Sequence, residues 1–427
     1  MSDLLGEEIQ SLILPSGLPV LYCPKPGFKK KYACYSTFYG SVDSEFVDWA
    51  GARVKVPDGI AHFLEHTLFE TEEGNVSDLF ARHGAYNNAS TSFTTTSYLF
   101  AATERFYENL KLLIQFVENP VFRPANVEKE KGIIEQEIRG YDDSAPWVSY
   151  MGLLENLFVA HPMRIDIAGT VESISHIDSE TLHQCYRKFY HPSNMTLFVV
   201  GDLDAEELFE FVEKTSRVLP NDANDASARL ERIYPDEPRA VARRTASKAL
   251  DVALPKLLLG FKEIGVPTSG EAFVERELAS ELLLEMLFGS SSDVYQELYE
   301  SQLILDDFGG SYSAGAGIGY AVIGGDTTDP AALERRIVSR AAELLDRGLT
   351  DEDFEREKRH FMGGFVRDFN SLEYIANHYT YYRFHEFDLF EAVGVLAGLE
   401  KSTLEARARE LLDPENYTTF VVEPKGS

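Results

Sequence analysis

A chain of 427 residues, 44% hydrophobic and 12% aromatic, has room for two or more domains with sizeable cores. Its 70 acidic against 40 basic residues leave a formal net charge of −30, which disfavours non-specific nucleic-acid binding and an anionic membrane surface; it serves solubility first and a preference for basic peptides second. No run of about 18 apolar residues exists to cross a membrane, and "MSDLLGEEIQ" carries acids where a signal peptide needs a basic end.

Cys23, Cys34 and Cys185 are odd in number, scattered and without CxxC spacing, so they read as core thiols of a reducing compartment, and the expected location is cytoplasmic. "KKYACYSTFYGSVD", from Lys30, alternates like a strand. Ile60 to Phe69 reads as a helix. "ASTSFTTTSYLFAAT", from Ala89, is rich in Thr, Ser, Tyr and Phe and reads as a strand. Residues 104–118, 127–140 and 149–159 read as helices. The order is not strict βαβ, so the expected class is α+β, with antiparallel sheets covered by helices.

A repeat divides the chain. In "HPSNMTLFVVGD", from His191, the residues Pro192, Asn194, Thr196, Phe198, Val199 and Val200 recur as Pro414, Asn416, Thr418, Phe420, Val421 and Val422 of "DPENYTTFVVEP", at an offset of 222. Each copy reads as a turn entering a strand. Between them "LPNDANDASARLERIYPDEPRA", Leu219 to Ala240, is rich in Asp, Asn, Ala and Pro and reads as a linker. The expectation is two homologous domains, 1–220 and 241–427, joined at 221–240.

Within the helix that begins at Ile60, His62 and His66 are four apart and share a face, so both imidazoles can reach one ion, and imidazole is a usual zinc ligand. Glu65 lies beside the second histidine and suits a carboxylate that takes a proton from an attacking water. Two histidines at this spacing also occur by chance on exposed helices. A catalytic zinc needs a third protein ligand as well. "FRPANVEKEKGIIEQEIRGYDD", from Phe122, reads as a helix with Asn126 as its N-cap. Glu130 and Glu137, two turns apart, share a face with Ile134 and Tyr141, an odd mixture for a solvated stripe. Glu128, Lys129 and Lys131 read as ordinary charged surface.

This combination resembles the insulinase/pitrilysin family of zinc peptidases, the inverzincins, and in size its short two-domain branch, which includes mitochondrial processing peptidase. The family motif is His-x-x-Glu-His followed roughly 70–77 residues later by a Glu ligand, with another Glu about seven residues before that ligand. Here Glu137 lies 71 positions after His66, and Glu130 lies seven before Glu137. The resemblance implies His62, His66 and Glu137 as ligands of one zinc per chain, Glu65 as general base, and Glu130 as a carboxylate that orients a ligand. "GAYNNASTSFTTTSY", from Gly84, is similar to the family's substrate-binding edge strand, to which a peptide adds as an extra strand; Asn88, Ala89 and Thr91 are the implied contacts. "HPMRIDIAGTVESISHI" and "FYHPSNMTLFVVGDLD" look closest to a bacterial cytoplasmic branch often labelled elongation factor P 5-aminopentanol modification-associated, whose members commonly come in pairs. That label implies no activity.

In the second half, "SELLLEMLF", from Ser280, aligns with "AHFLEHTLF" at offset 219, and His62, Glu65 and His66 become Glu281, Leu284 and Glu285. This half is expected to bind no zinc. Active members of the family usually carry an Arg and a Tyr seven residues apart in the second half, contacting the substrate backbone. Here those positions are Tyr299 and Asp306, and no Arg stands between Arg276 and Arg335. The expected function is a zinc metalloendopeptidase that cleaves peptides or unfolded segments in an enclosed chamber. It would be the zinc-bearing subunit of a heterodimer whose homologous partner supplies the Arg and Tyr, in preference to a homodimer. The competing reading is a non-catalytic subunit that binds a peptide or a partner, against which the intact His62, Glu65, His66 and Glu137 weigh.

Overall fold

The computed structural model describes residue 6 and residues 8–71, 74–216 and 230–426. The chain forms two compact units that are not consecutive in sequence. The first comprises Met1–Ile138, Asp166–Tyr234 and Asp368–Phe384; the second comprises Arg139–Ile165, Pro235–Arg367 and His385–Ser427.

The first unit is built on a six-stranded sheet of β1 (Gln10–Ile13), β2 (Pro19–Pro24), β3 (Lys31–Thr37), β4 (Tyr86–Thr91), β5 (Thr96–Ala102) and β6 (Met195–Gly201), in the order β1-β2-β6-β3-β5-β4. All neighbours are antiparallel except β2 and β6, which run parallel from Leu197 beside Val20 to Gly201 beside Pro24. The sheet is therefore largely antiparallel with one parallel pair. β2 and β6 are far apart in sequence, so no hairpin fixes their direction.

Two readings of the sequence change here. The expected alternation of β3 is absent: every residue from Tyr32 to Thr37 is buried. The helix Leu372–Phe384 covers one face. The Tyr32 hydroxyl donates to Asn377 Oδ1 at 3.1 Å, the Cys34 thiol lies 3.6 Å from Thr380 Oγ1, and Phe198 packs on Tyr379 with ring centroids 5.1 Å apart. A strand covered on both faces loses its period of two. The same contacts explain why 368–384 belongs to the first unit. Secondly, Ala89–Thr103 is not one strand but parts of the two arms of a hairpin, β4 and β5. The Ser92 backbone N–H donates to the Thr95 carbonyl at 2.8 Å, and the Ser92 hydroxyl accepts from the N–H groups of Thr94 and Thr95 at 3.3 and 3.0 Å. A serine can close a turn this way while leaving a composition that looks like strand.

The second unit repeats the plan with β7 (Thr245–Leu250), β8 (Lys256–Ile264), β9 (Gly309–Gly315), β10 (Ile318–Asp326) and β11 (Tyr417–Pro424), in the order β7-β11-β8-β10-β9. Only β7 and β11 are parallel. The two copies of the sequence repeat become β6 and β11, each between one parallel and one antiparallel neighbour. The repeated Asn has one task in both. Asn194 Nδ2 donates to the carbonyls of Phe189 and Phe38 at 2.8 and 3.1 Å; Asn416 Nδ2 donates to Arg239 O at 2.9 Å while its Oδ1 accepts from Val241 N–H at 3.1 Å. The helix Ala145–Leu157 packs on β8 and β11: Asn156 Nδ2 donates to Thr419 O at 3.0 Å, and a Cβ on Gly152 would collide with the Phe420 ring. Each unit is an α+β sandwich of one sheet and its helices.

Of the stretch Leu219 to Ala240 that reads as a linker, residues 219–229 lie outside the described residues. The remainder is packed rather than open. In the first unit Arg232 Nε and the Tyr234 hydroxyl donate to Asp43 Oδ1 at 2.9 and 2.8 Å. In the second unit Glu237 accepts the N–H groups of Val159, Ala160 and His161 and the ammonium of Lys262, each at 2.8 Å, with both side chains buried. The charged, Pro-containing composition hid this. A charge reads as solvent-facing until its buried partners are known.

Candidate metal centre

The helix Ile60–Leu68 starts at Gly59, whose φ of +88° is the left-handed conformation that glycine tolerates best, and a Cβ there would collide with the Ala168 carbonyl. The Ser173 hydroxyl donates to Asp58 O at 2.8 Å on the same loop. These contacts tie the start of the helix to the segment around Gly169. Phe63 and Leu64 are fully buried and anchor the helix to the core of the first unit. His62, Glu65 and His66 are thereby held on one side.

The facing helix runs Pro124–Tyr141. It begins two residues before the expected cap. Pro124 opens it, where its missing N–H costs nothing, and Asn126 lies in the first turn with its N–H donated to Arg123 O at 2.9 Å. Val127, Glu130 and Ile134 form its buried face, while the Glu128 side chain is 71% exposed and pairs with Lys131.

The two helices bring His62, His66 and Glu137 together, with one donor atom of each within 4.8 Å of the others. His62 Nε2 lies 3.7 Å from Glu137 Oε1, and His66 Nε2 lies 3.4 Å from Glu137 Oε2. His66 Nδ1 meets Glu130 Oε1 at 2.8 Å. Two imidazoles and a carboxylate form the nitrogen–oxygen donor set of a zinc site, and Glu130 fills the place of the carboxylate that fixes a liganding imidazole. The set fits zinc. Among the described residues no other three His, Cys, Asp or Glu side chains converge in this way.

Burial, with the charge of His66 beside it, holds His62 down to about 4, so it is neutral and ready to ligate at pH 7. For His66, burial is outweighed by the Glu130 hydrogen bond and the charges of Glu65, Glu137 and Glu130, and its pKa rises. Burial raises Glu65 despite a hydrogen bond from Thr91 and the His66 charge, and a general base is better matched to neutral pH when raised.

Thr91 is the residue whose position adds most. Its hydroxyl donates to Glu65 Oε2 at 2.6 Å. The resemblance implied a substrate contact; in the structure the side chain holds the Glu65 carboxylate beside the histidines. Only the pairing of Thr91 at the end of β4 with a helix 26 residues away reveals this, and no local motif carries that signal. Asn88 is exposed and Ala89 packs against the core on β4, which ends the sheet order and pairs with β5.

The corresponding helix of the second unit, Glu271–Phe288, carries Glu281, Leu284 and Glu285. Glu281 accepts the Tyr312 N–H at 2.7 Å, and Leu284 is buried. Tyr299 is 49% exposed on the helix Asp293–Glu300, Asp306 is exposed, and the Tyr312 hydroxyl donates to Glu263 in a buried network with Arg407.

Burial, reinforced by Glu277 and Glu285 and only partly offset by the Tyr312 N–H, pushes Glu281 up to about 7 from an ordinary 4.5. A carboxyl whose folded pKa is raised costs stability as pH climbs from the unfolded value through the folded one. Gln removes that cost and keeps the acceptor. Glu281→Gln is therefore expected to stabilise the protein by up to about 3 kcal/mol at pH 8 and by nearly nothing at pH 4. Thermal unfolding at the two pH values checks it; an equal effect at both would contradict the buried charge.

Residues 49–171 match the family described as Insulinase (Peptidase family M16), and residues 176–361 match the Peptidase M16 inactive domain. The chain is 44% identical to the uncharacterized zinc protease YmfH of Bacillus subtilis over 99% of its own length and 98% of the relative's. It superposes on an M16-like peptidase from Alicyclobacillus acidocaldarius with a TM-score of 0.92 and 36% identity, covering 99% of each chain. A protease from Helicobacter pylori shares the fold at a TM-score of 0.82 and 22% identity, over 98% of this chain and 100% of that one. The chain belongs to the insulinase family of peptidases, family M16.

Proposed function

We propose that the chain is a zinc metalloendopeptidase acting on peptides and unfolded segments. The observation that carries this is the convergence of His62, His66 and Glu137 within 4.8 Å, with Glu65 between the two histidines in sequence. The zinc-protease names of relatives support it. One zinc per chain, held by these three side chains, supplies Lewis acidity that lowers the pKa of water and polarises the scissile carbonyl. Glu65 takes the proton as water attacks and returns it to the leaving amine. Thr91 fixes which carboxylate oxygen faces the reaction by occupying the other. Glu130 accepts the Nδ1 proton of His66 and so presents Nε2 as the liganding nitrogen. β4, at the end of its sheet, offers backbone groups to a peptide added as a further strand, with Asn88 and Ala89 beside it.

The proposal extends to a cytoplasmic enzyme with an enclosed chamber, formed as a heterodimer. Tyr299 and Asp306 carry this last step, because Tyr299 has no guanidinium fork for the Arg position and Asp306 no phenol for the Tyr position that the family resemblance calls for. The same observation favours a second reading, a subunit that binds peptide without cutting it. The test is zinc content and cleavage of an unstructured peptide, measured on the purified chain alone and with a homologous partner chain from the same source. One zinc per chain, weak cleavage alone and a marked rise with the partner at unchanged metal content are expected. Full activity in a partner-free preparation would reject the heterodimer; absence of zinc and of cleavage in both preparations would favour the binding subunit.

A further inference from the structure

We infer that Glu70 makes this site select a lysine or arginine side chain beside the scissile bond, an inference that rests on the peptidase reading above. A cavity of about 340 Å³ opens next to Glu65 and His66, between β4, the helix Pro124–Tyr141 and the short hairpin of Glu70–Thr71 and Gly74–Asn75. A peptide laid along β4 with its scissile bond at Glu65 directs a neighbouring side chain into it.

The walls define what fits. Phe69 and Ile133, the latter 44% exposed, give an apolar passage, and Asn75, Ser77 and Asn87 line the rest with amide and hydroxyl groups. Among the described residues three carboxylates reach the cavity. Glu65 is engaged by Thr91 and placed for the water, and Glu130 is engaged by His66. Glu70 is the one the reaction does not use. Its side chain is 22% exposed, and among the described residues its Oε1 contacts are long, 3.4 Å to Lys129 Nζ and 3.5 Å to Asn75 Nδ2. Lys129 is 60% exposed, and a surface pair of that kind contributes little, so a substrate cation displaces it at small cost. Among the described residues no Lys or Arg lines the cavity.

A side chain that lays an aliphatic stem along Phe69 and Ile133 and brings a cation to Glu70 satisfies every wall; lysine and arginine are such side chains. An acidic residue would meet three carboxylates. A short apolar residue would leave Glu70 and the amides unmatched. The net charge of −30 favours the same substrates by drawing basic peptides toward the protein.

The experiment uses one unstructured peptide with lysine, norleucine or glutamate placed in turn at each of the two positions flanking the cleaved bond. Turnover is read on the zinc-loaded enzyme with its partner present. Binding is read separately on zinc-loaded Glu65→Gln protein, so the preference is measured whether or not the peptide is cut. At one flanking position the lysine peptide is expected to bind roughly tenfold more tightly than the norleucine peptide. Glu70→Gln should bring the two within about twofold by weakening the lysine peptide alone, and Glu70→Lys should favour glutamate. Equal binding of lysine and norleucine at both positions, or a lysine preference that survives Glu70→Gln, overturns the inference. A failure of the peptidase reading would appear in the turnover series alone.

Discussion

Glu65→Gln is expected to keep a full equivalent of zinc and to lose about 10²–10⁴-fold of its peptide turnover, the usual contribution of a general base. Glutamine has the shape of glutamate, and its amide oxygen can still accept the Thr91 hydroxyl that now reaches Glu65 Oε2 at 2.6 Å. The side chain would therefore stay in place. What it loses is the ability to take a proton. Glu65 is not one of the three convergent donors, so metal content has no reason to fall. Zinc stoichiometry and turnover are to be read on the same preparation. Wild-type turnover in the variant would remove Glu65 from the mechanism, and loss of zinc would mean that it ligates.

The convergence of His62, His66 and Glu137 was legible in the sequence because both halves of it lie on helices. A period of 3.6 puts His62 beside His66, and Glu130 two turns from Glu137, whatever the rest of the chain does. The resemblance then named which carboxylate converges. The contact from Thr91 to Glu65 was not legible, because it depends on where a strand end meets a helix, and that register is a tertiary fact. The same limit explains the other misses. Ser92 closes a turn with its own hydroxyl, so a hairpin arm and its partner read as one strand. β3 is buried on both faces, one of them covered by a helix more than 330 residues away in sequence, so an alternating reading failed. Asn126 reads as a cap by its residue type, but Pro124, two residues earlier, opens the helix by a different device. Glu237 looked like linker because its four donors, Val159, Ala160, His161 and Lys262, come from two distant segments. The repeat succeeded for the opposite reason. Asn194 and Asn416 bond to loops close to their own strands in space and hold the same place in each sheet, so the requirement was written twice.

Glu137→Ala and His66→Ala are each expected to lose zinc, and with it all peptide cleavage, because each deletes one of three protein donors and leaves two that cannot close the site. Glu130→Gln should behave differently. It leaves the three donors intact but weakens the acceptor at 2.8 Å that fixes the His66 ring and its tautomer, and changes of that kind typically cost about 10–100-fold in metal affinity or activity. Glu128, on the exposed side of the same helix, provides the control: Glu128→Ala removes an equal charge and should leave zinc affinity unchanged. Competition with a chelator of known affinity ranks the variants, and the expected order from weakest to tightest is Glu137→Ala with His66→Ala, then Glu130→Gln, then Glu128→Ala with the wild type. The spacing in that order separates ligation from general electrostatics. If each lost carboxylate merely reduced the attraction of an acidic helix for a cation, Glu137, Glu130 and Glu128 would weaken binding by similar factors. If Glu137→Ala holds a full equivalent of zinc at wild-type affinity, the third ligand lies elsewhere and the convergence of these side chains has another cause.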